Sequence, residues 1–177
     1  QVFQTFTATV NGDVINEVDE DFLGQLSSVT IATPSTVTAT SVISNDDGIP
    51  TADVALAAAS QGGVDENSAN TIDFTVTLNQ VSGQTTSVRF MTLMTGSAEA
   101  ADFTAVNQTV TFAPGELTKT VSVGVVSDSL NEENETVIVQ IDNPSLVIIG
   151  QPTATGTIND NDDVTISIAD QTLQAEG

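Results

Sequence analysis

The sequence predicts an all-β protein: a seven-stranded Greek-key β-sandwich of the immunoglobulin-like type, written in tandem repeats. Three observations lead there. Thr and Val are the commonest residues and, with Ser and Ile, alternate along short runs. Turn-forming residues separate those runs. Residues 5–47 also recur, without a gap, as residues 120–162. In that alignment Asp13, Asn16, Glu17 and Glu20 fall on Asp128, Asn131, Glu132 and Glu135. Thr38-Ala39-Thr40, Ile43 and Asp47 fall on Thr153-Ala154-Thr155, Ile158 and Asp162. Recurrence at this spacing is the mark of a domain-sized repeat.

A second match sets the frame. Val164, Ala169, Gln171 and Glu176 align with Val54, Ala59, Gln61 and Glu66. The chain therefore reads as the C-terminal half of one unit (1–47), a linker (48–52), a complete unit (53–163) and the first strand of a third (164–177). Residues 1–47 lack the first half of their unit, so they cannot bury a two-sided core alone.

In the complete unit the strands fall at 53–60, 71–79, 85–93, 106–113, 117–126, 136–142 and 153–159. Ile72-Asp73-Phe74-Thr75-Val76-Thr77-Leu78 alternates with period two, as do 106–112, 121–125 and 137–141. Branched residues at every second position suit a strand with one buried face. Ser82-Gly83, Pro114-Gly115, Asn143-Pro144 and Gly150-Gln151-Pro152 supply the turns. Phe74, Phe90, Phe103 and Phe112 are the expected core anchors. Seven short antiparallel strands over this length fit a Greek-key sandwich.

Four acidic clusters sit at strand ends: Asp65-Glu66, then Glu99 with Asp102, then Asp128, Glu132, Glu133 and Glu135, and finally Asp160-Asn161-Asp162-Asp163. All four follow odd-numbered strands, so a seven-strand sandwich carries them to one pole. Bare carboxylates gathered there repel one another. Calcium takes six to eight oxygens at ~2.3–2.6 Å and would relieve that repulsion. Asp128, Glu132, Glu135, Asp160 and Asp162 read as metal ligands. Asp13, Glu17, Glu20 and Asp47 read as their counterparts in the other copy, where Asn45 stands in place of Asp160. Glu99 and Glu133 read as solvated loop residues.

Composition narrows the function. The net charge is −22, from 24 acids against Arg89 and Lys119. Nucleic acid needs a cationic footprint and is excluded; anionic membrane surfaces are disfavoured. The absence of Cys and His removes thiol nucleophiles, Ser-His catalysis and the usual zinc sites. No apolar run approaches the ~20 residues of a membrane helix. Paired acids can hydrolyse glycosides, but the chain has no Trp or Tyr to stack a sugar. The expectation is a non-enzyme. Asn107-Gln108-Thr109 and Asn134-Glu135-Thr136 are glycosylation sequons, read as unmodified.

Four ordered motifs carry a family resemblance. Thr95-Gly96-Ser97-Ala98-Glu99-Ala100-Ala101-Asp102-Phe103 resembles the dGTA…DY loop of the Calx-beta domain, with Ser97 for Thr and Phe103 for Tyr. Val110-Thr111-Phe112-Ala113-Pro114-Gly115-Glu116 resembles its ltFapGe turn. Asp128 to Thr136 is similar to DD..E.dEtF, and Thr157-Ile158-Asn159-Asp160-Asn161-Asp162 to tI.DdD. That family is a calcium-binding sandwich of sodium–calcium exchangers, integrin beta-4 and large surface proteins. The resemblance implies Ca2+ ligands at Glu66, Asp102, Asp128, Glu132, Glu135, Asp160 and Asp162. Ser127, Ser129 and Asn161 stand where the family often has acids, which implies fewer or weaker ions.

The function expected is a structural calcium-binding repeat of a secreted or cell-surface protein, an adhesin or extracellular matrix fibre. Its partners would be neighbouring repeats of the chain or further copies of the protein. Two alternatives stay open: a filament subunit completed by strands from a neighbouring copy, and a regulatory calcium sensor. The longer linker 48–52 is expected to make the first boundary the more flexible one.

Overall fold

The computed structural model describes residues 5–27, 38–67 and 69–168. Its centre is a sandwich of two sheets. Strands β1 (Glu20–Gln25) and β2 (Thr38–Ile43) precede it as a separate antiparallel pair. The sandwich runs through β3 (Thr51–Leu56), β4 (Val64–Asp65), β5 (Thr71–Leu78), β6 (Thr86–Leu93), β7 (Asn107–Phe112), β8 (Thr118–Gly124), β9 (Glu135–Ser145), β10 (Ile148–Ile149) and β11 (Thr153–Asn159). One sheet has the order β10-β3-β5-β8 and the other β4-β11-β9-β6-β7. The chain changes sheet at every step from β3 to β11 except β6 to β7, which pair as neighbours, a Greek-key path.

The period-two pattern explains the core. Ile72, Phe74, Val76 and Leu78 of β5 point inward, and the residues between them face outward. They meet Val88 and Phe90 of β6 and Val137, Val139 and Ile141 of β9, all fully buried. Phe74 and Phe90 pack with ring centroids 6.0 Å apart at 54°, a tilted contact that aromatic quadrupoles favour. Phe103 and Phe112 are buried as expected. The cluster of buried apolar residues lies wholly within residues 52–158.

The first strand departs from expectation in a way that positions the acidic pole. It does not run through 53–60. Strand β3 ends at Leu56, a 3-10 turn follows at Ala58–Ser60, and the chain changes sheet before β4. Gly62 and Gly63 make the crossing with φ of 96° and 91°, a region that side chains other than glycine's rarely enter. Strand β3 pairs antiparallel with β5, whereas β4 pairs parallel with β11.

The stretch 48–52 also differs from the linker reading. Thr51 and Ala52 already belong to β3, and Ala52 is buried in the core. The Pro50 carbonyl accepts from Ile148 N at 2.9 Å, which pairs this segment into the sheet edge. At the other end, residues 160–168 form no strand, and Ile168 is 94% exposed. The proposed third unit beyond 168 lies outside the described residues.

The β1–β2 pair repeats a piece of the sandwich. Glu20 faces Ile43 and Gln25 faces Thr38. In the aligned copy Glu135 faces Ile158 and Gln140 faces Thr153. The two registers coincide position for position under the sequence alignment. Residues 5–10, aligned with β8, form no strand, and the large apolar side chains Phe6, Val10, Leu23 and Val42 are exposed. Strand β8 owes its order to β5; residues 5–10 have no such neighbour among the described residues. Among the described residues, no helix is long and apolar enough to cross a membrane.

Candidate metal centre

Strand pairing delivers the carboxylates to one pole. The parallel register of β4 with β11 sets Asp65 beside Asn159, so Glu66 emerges next to Asp160. The antiparallel register of β9 with β11 sets Glu135 beside Ile158. Asp102 arrives through a lone bridge between Phe103 and Val125, with Val126 N donating to Asp102 O at 2.8 Å. Glu66, Glu135 and Asp160 therefore lie at strand ends that the backbone ladder has already placed.

Gly96 allows the Asp102 loop to close on β9. A Cβ at Gly96 would lie 2.0 Å from Thr136 O, so a side chain there would collide with backbone. With glycine in place, Ser97 N donates to Thr136 Oγ1 at 3.1 Å, and Thr136 N donates to Ser97 Oγ at 2.8 Å. These bonds hold Asp102 against Glu135.

Two groups of three carboxylates result. Glu66, Asp128 and Asp162 form one; Asp102, Glu132 and Glu135 form the other. Within each group, one oxygen from every residue lies within 4.8 Å of the others. Oxygens on opposite sides of one calcium ion lie up to about 5 Å apart, so either group fits a single ion. Glu66 is 6% exposed, and its Oε1 accepts from Asp128 N at 3.0 Å. Asp162 Oδ2 is buried and receives no hydrogen bond from the described residues. A buried carboxylate oxygen with no donor is costly unless a cation completes it.

The electrostatics agree. Partial burial, then the neighbouring Asp102, then Glu132 and Glu99 push the Glu135 carboxyl up to about 7. Desolvation and then the charges of Asp128, Asp102, Glu66 and Asp160 raise Glu132. No basic side chain relieves the crowding: Arg89 is bonded to Asp142 and Lys119 to Glu116. The donor set is all oxygen and strongly anionic, which suits a hard divalent cation.

Of the residues singled out from sequence, seven assemble here. Six belong to the two groups; Asp160 lines the cleft beside them and accepts from Asn131 Nδ2 at 3.3 Å. The N-terminal four do not close up in the same way. Asp13, Glu17, Glu20 and Asp47 line a wider recess without forming a ligand group, with Asp13 Oδ1 accepting from Ile15 N at 2.8 Å. The partners that gather the central acids, β4 and the Asp102 loop, have no counterpart beside them among the described residues.

Three asparagines matter that the acid pattern alone did not reveal. Asn161, read as a missing charge, donates from Nδ2 to Glu66 O at 2.6 Å, a role no carboxylate could fill. Asn131 Nδ2 donates to Asp162 O at 2.5 Å. Asn134 Oδ1 accepts from Asp160 N at 3.1 Å, so its sequon lies within the pole. The identity of Asn16 with Asn131 was the sequence signal for the second of these.

An all-β sandwich with two carboxylate groups at one pole has the donor set that a divalent cation needs. The family comparison makes this specific: the Calx-beta domain matches residues 1–47 and 57–168, and the chain belongs to that family. Calx-beta domains bind Ca2+ and are typically non-catalytic. A comparison with curated protein sequences finds no match. Among solved structures, the chain is similar to the apo-form Calx CBD1 domain (TM-score 0.54, 21% identity, 64% of this chain and 99% of that one). It is also similar to CBD12 from CALX1.2 (TM-score 0.51, 29% identity, 55% and 41%). The calcium binding domain CBD12 of CALX1.1 matches with TM-score 0.51, 29% identity, and 55% and 40% coverage. The chain thus spans about two fifths of the CBD12 structures.

Proposed function

We propose that this chain is a stretch of tandem Calx-beta repeats from a large secreted or cell-surface protein, an adhesin or matrix fibre. Ca2+ at the acidic pole stiffens the sandwich and its junction with the next repeat. The observation that carries this reading is the pair of carboxylate groups with Asp162 Oδ2 buried and without a donor. Asp162 lies close to Val164, where the sequence begins to resemble a further first strand. An ion held by Asp162 would therefore act at a boundary. The coincident β1–β2 and β9–β11 registers support a repeated architecture.

Titration calorimetry with Ca2+ on the whole chain, paired with thermal melts in calcium and in chelator, tests it. Saturable binding with a raised melting temperature supports the reading. No binding at millimolar calcium overturns it and leaves the acids as a solubility device. A second reading, a regulatory calcium sensor, is favoured by the likeness to CBD structures. A large calcium-driven change in the relative orientation of 1–47 and the sandwich would favour the sensor over the spacer.

A further inference from the structure

The turn between β5 and β6 grips the N-terminal segment at one residue. Asn16 is only 5% exposed, although almost everything around it in residues 5–27 lies open to solvent. Its backbone oxygen accepts from Gly83 N at 2.9 Å and from Ser82 Oγ at 3.4 Å. Its side-chain oxygen accepts from Gln84 Nε2 at 3.2 Å. Its Nδ2 donates to Asp47 O at 2.9 Å. One asparagine thus joins the acidic loop 13–20, the acidic end 45–47 and a turn of the sandwich.

The turn is built to receive it. Ser82 is 3% exposed, its Oγ accepts from Gln84 N at 3.0 Å, and its carbonyl accepts from Gly115 N at 2.9 Å. These bonds fix the backbone of the turn and orient the Ser82 hydroxyl and the Gly83 amide. The segment Gln80-Val81-Ser82-Gly83-Gln84 carries no charge. Neutral donors can approach a pole crowded with carboxylates where an acidic turn would be repelled. Gly83 admits the loop closely: a Cβ there would sit 2.7 Å from Glu17 Cγ. A second clasp lies alongside, with Gln80 Nε2 donating to Gly48 O at 2.7 Å.

The residue that fills this turn is repeated in the sequence. Asn131 aligns with Asn16, and two local hydrogen bonds are common to the two sites. Asn131 Nδ2 donates to Asp162 O as Asn16 Nδ2 donates to Asp47 O. Leu130 N donates to Asp128 Oδ1 as Ile15 N donates to Asp13 Oδ1. Yet Asn131 is exposed, and no donor among the described residues reaches its two oxygens.

We infer that Ser82-Gly83-Gln84 is the socket of a head-to-tail joint, with Asn16 as its plug, and that Asn131 is the plug presented to the socket of a following unit of the same build. The joint is heterologous: one pole of a unit meets the opposite pole of its neighbour, so it propagates along a chain. It goes beyond the calcium reading, because the bonds that form it are between protein groups. The joint also makes the first boundary stiff, contrary to what the length of 48–52 suggested.

Amide NMR on the whole chain in chelator tests it, which separates its outcome from that of the calcium titration. In the unaltered chain, residual dipolar couplings from 38–47 and from the sandwich are expected to fit one alignment tensor. Asn16→Ala should shift the resonances of 82–84 and speed exchange of the Gly83 amide at least tenfold. Gly83→Ala should shift Asn16 and Glu17 from the other side of the joint. In both variants the core amides of Phe74 and Val88 should stay unchanged, and Asn131→Ala should leave 82–84 unmoved. Separate tensors in the unaltered chain, or no reciprocal shift across the joint, would overturn the inference.

Discussion

Glu135 governs the pH behaviour of the pole. Its carboxyl is raised from 4.5 to about 7, first by burial and then by Asp102. Between those values the folded chain keeps a proton that the unfolded chain has released. Without calcium, this group's contribution is therefore full below about 4.5 and is lost as pH rises through about 7. Calcium needs the carboxylate, so affinity should climb over the same interval. Melts in chelator should show falling stability from pH 5 to pH 8, and calorimetry should show rising affinity; a flat profile in both would refute the assignment. Glu132→Gln removes a ligand charge from the group it shares with Asp102 and Glu135. A loss of about tenfold in calcium affinity is expected, with little change in the chelated melt. Gly96→Ala acts through backbone, since its Cβ would meet Thr136 O. Overpacking of about 1–3 kcal/mol is expected, together with weaker calcium binding as the Asp102 loop is pushed off β9.

At the scale of elements, stability rests on the facing strands β5, β6 and β9. Phe74→Ala should cost about 3–5 kcal/mol in denaturant melts, because Phe74 is wholly buried and packs against Phe90. The outer face contributes far less. The Arg89–Asp142 pair holds the Asp142 carboxyl below its ordinary range through a hydrogen bond and charge, but both side chains are partly exposed. Its loss in Asp142→Asn should leave the denaturant melt nearly unchanged, because solvent screens the pair. The elements were largely legible beforehand. The alternating run at 71–78 announced β5 almost residue for residue, because one face buried and one face wet leaves a period-two trace. The first strand ends earlier than the pattern predicts because 53–60 keeps small apolar residues past Leu56. The switch at Gly62-Gly63 that ends it is recorded in backbone dihedrals, not in hydrophobic pattern.

At the scale of the whole molecule, a charge of −22 must be held together against its own repulsion. Calcium at a hundredfold excess over its dissociation constant should stabilise the sandwich by about 2.7 kcal/mol per independent site. For a sandwich of this size that is a rise in melting temperature of roughly 10–20 °C, readable by calorimetry with and without chelator. An unchanged melting temperature would sink the rigidifying role. The candidate site was legible in part. Asp128, Glu132, Glu135 and Asp162 stood out because they recur within the chain. Their division into two groups did not, because it depends on which strand ends meet. Asp13, Glu17, Glu20 and Asp47 show the converse: the same residue types, in the same local hydrogen bonds, do not close into a ligand group.

The sequence alone determined the fold class, the positions of most strands and which acids recur within the chain. Those properties follow from side-chain alternation, turn chemistry and recurrence, all of which are local or self-referential. Only the tertiary structure decided that Glu66 reaches Asp128 through a strand that changes sheet, and that Asp162 keeps a buried oxygen without a donor. It also decided that Asn16 is clasped by a turn 66 residues away along the chain. Such contacts join segments whose separation leaves no periodic trace, so only the packed sheets can bring them together.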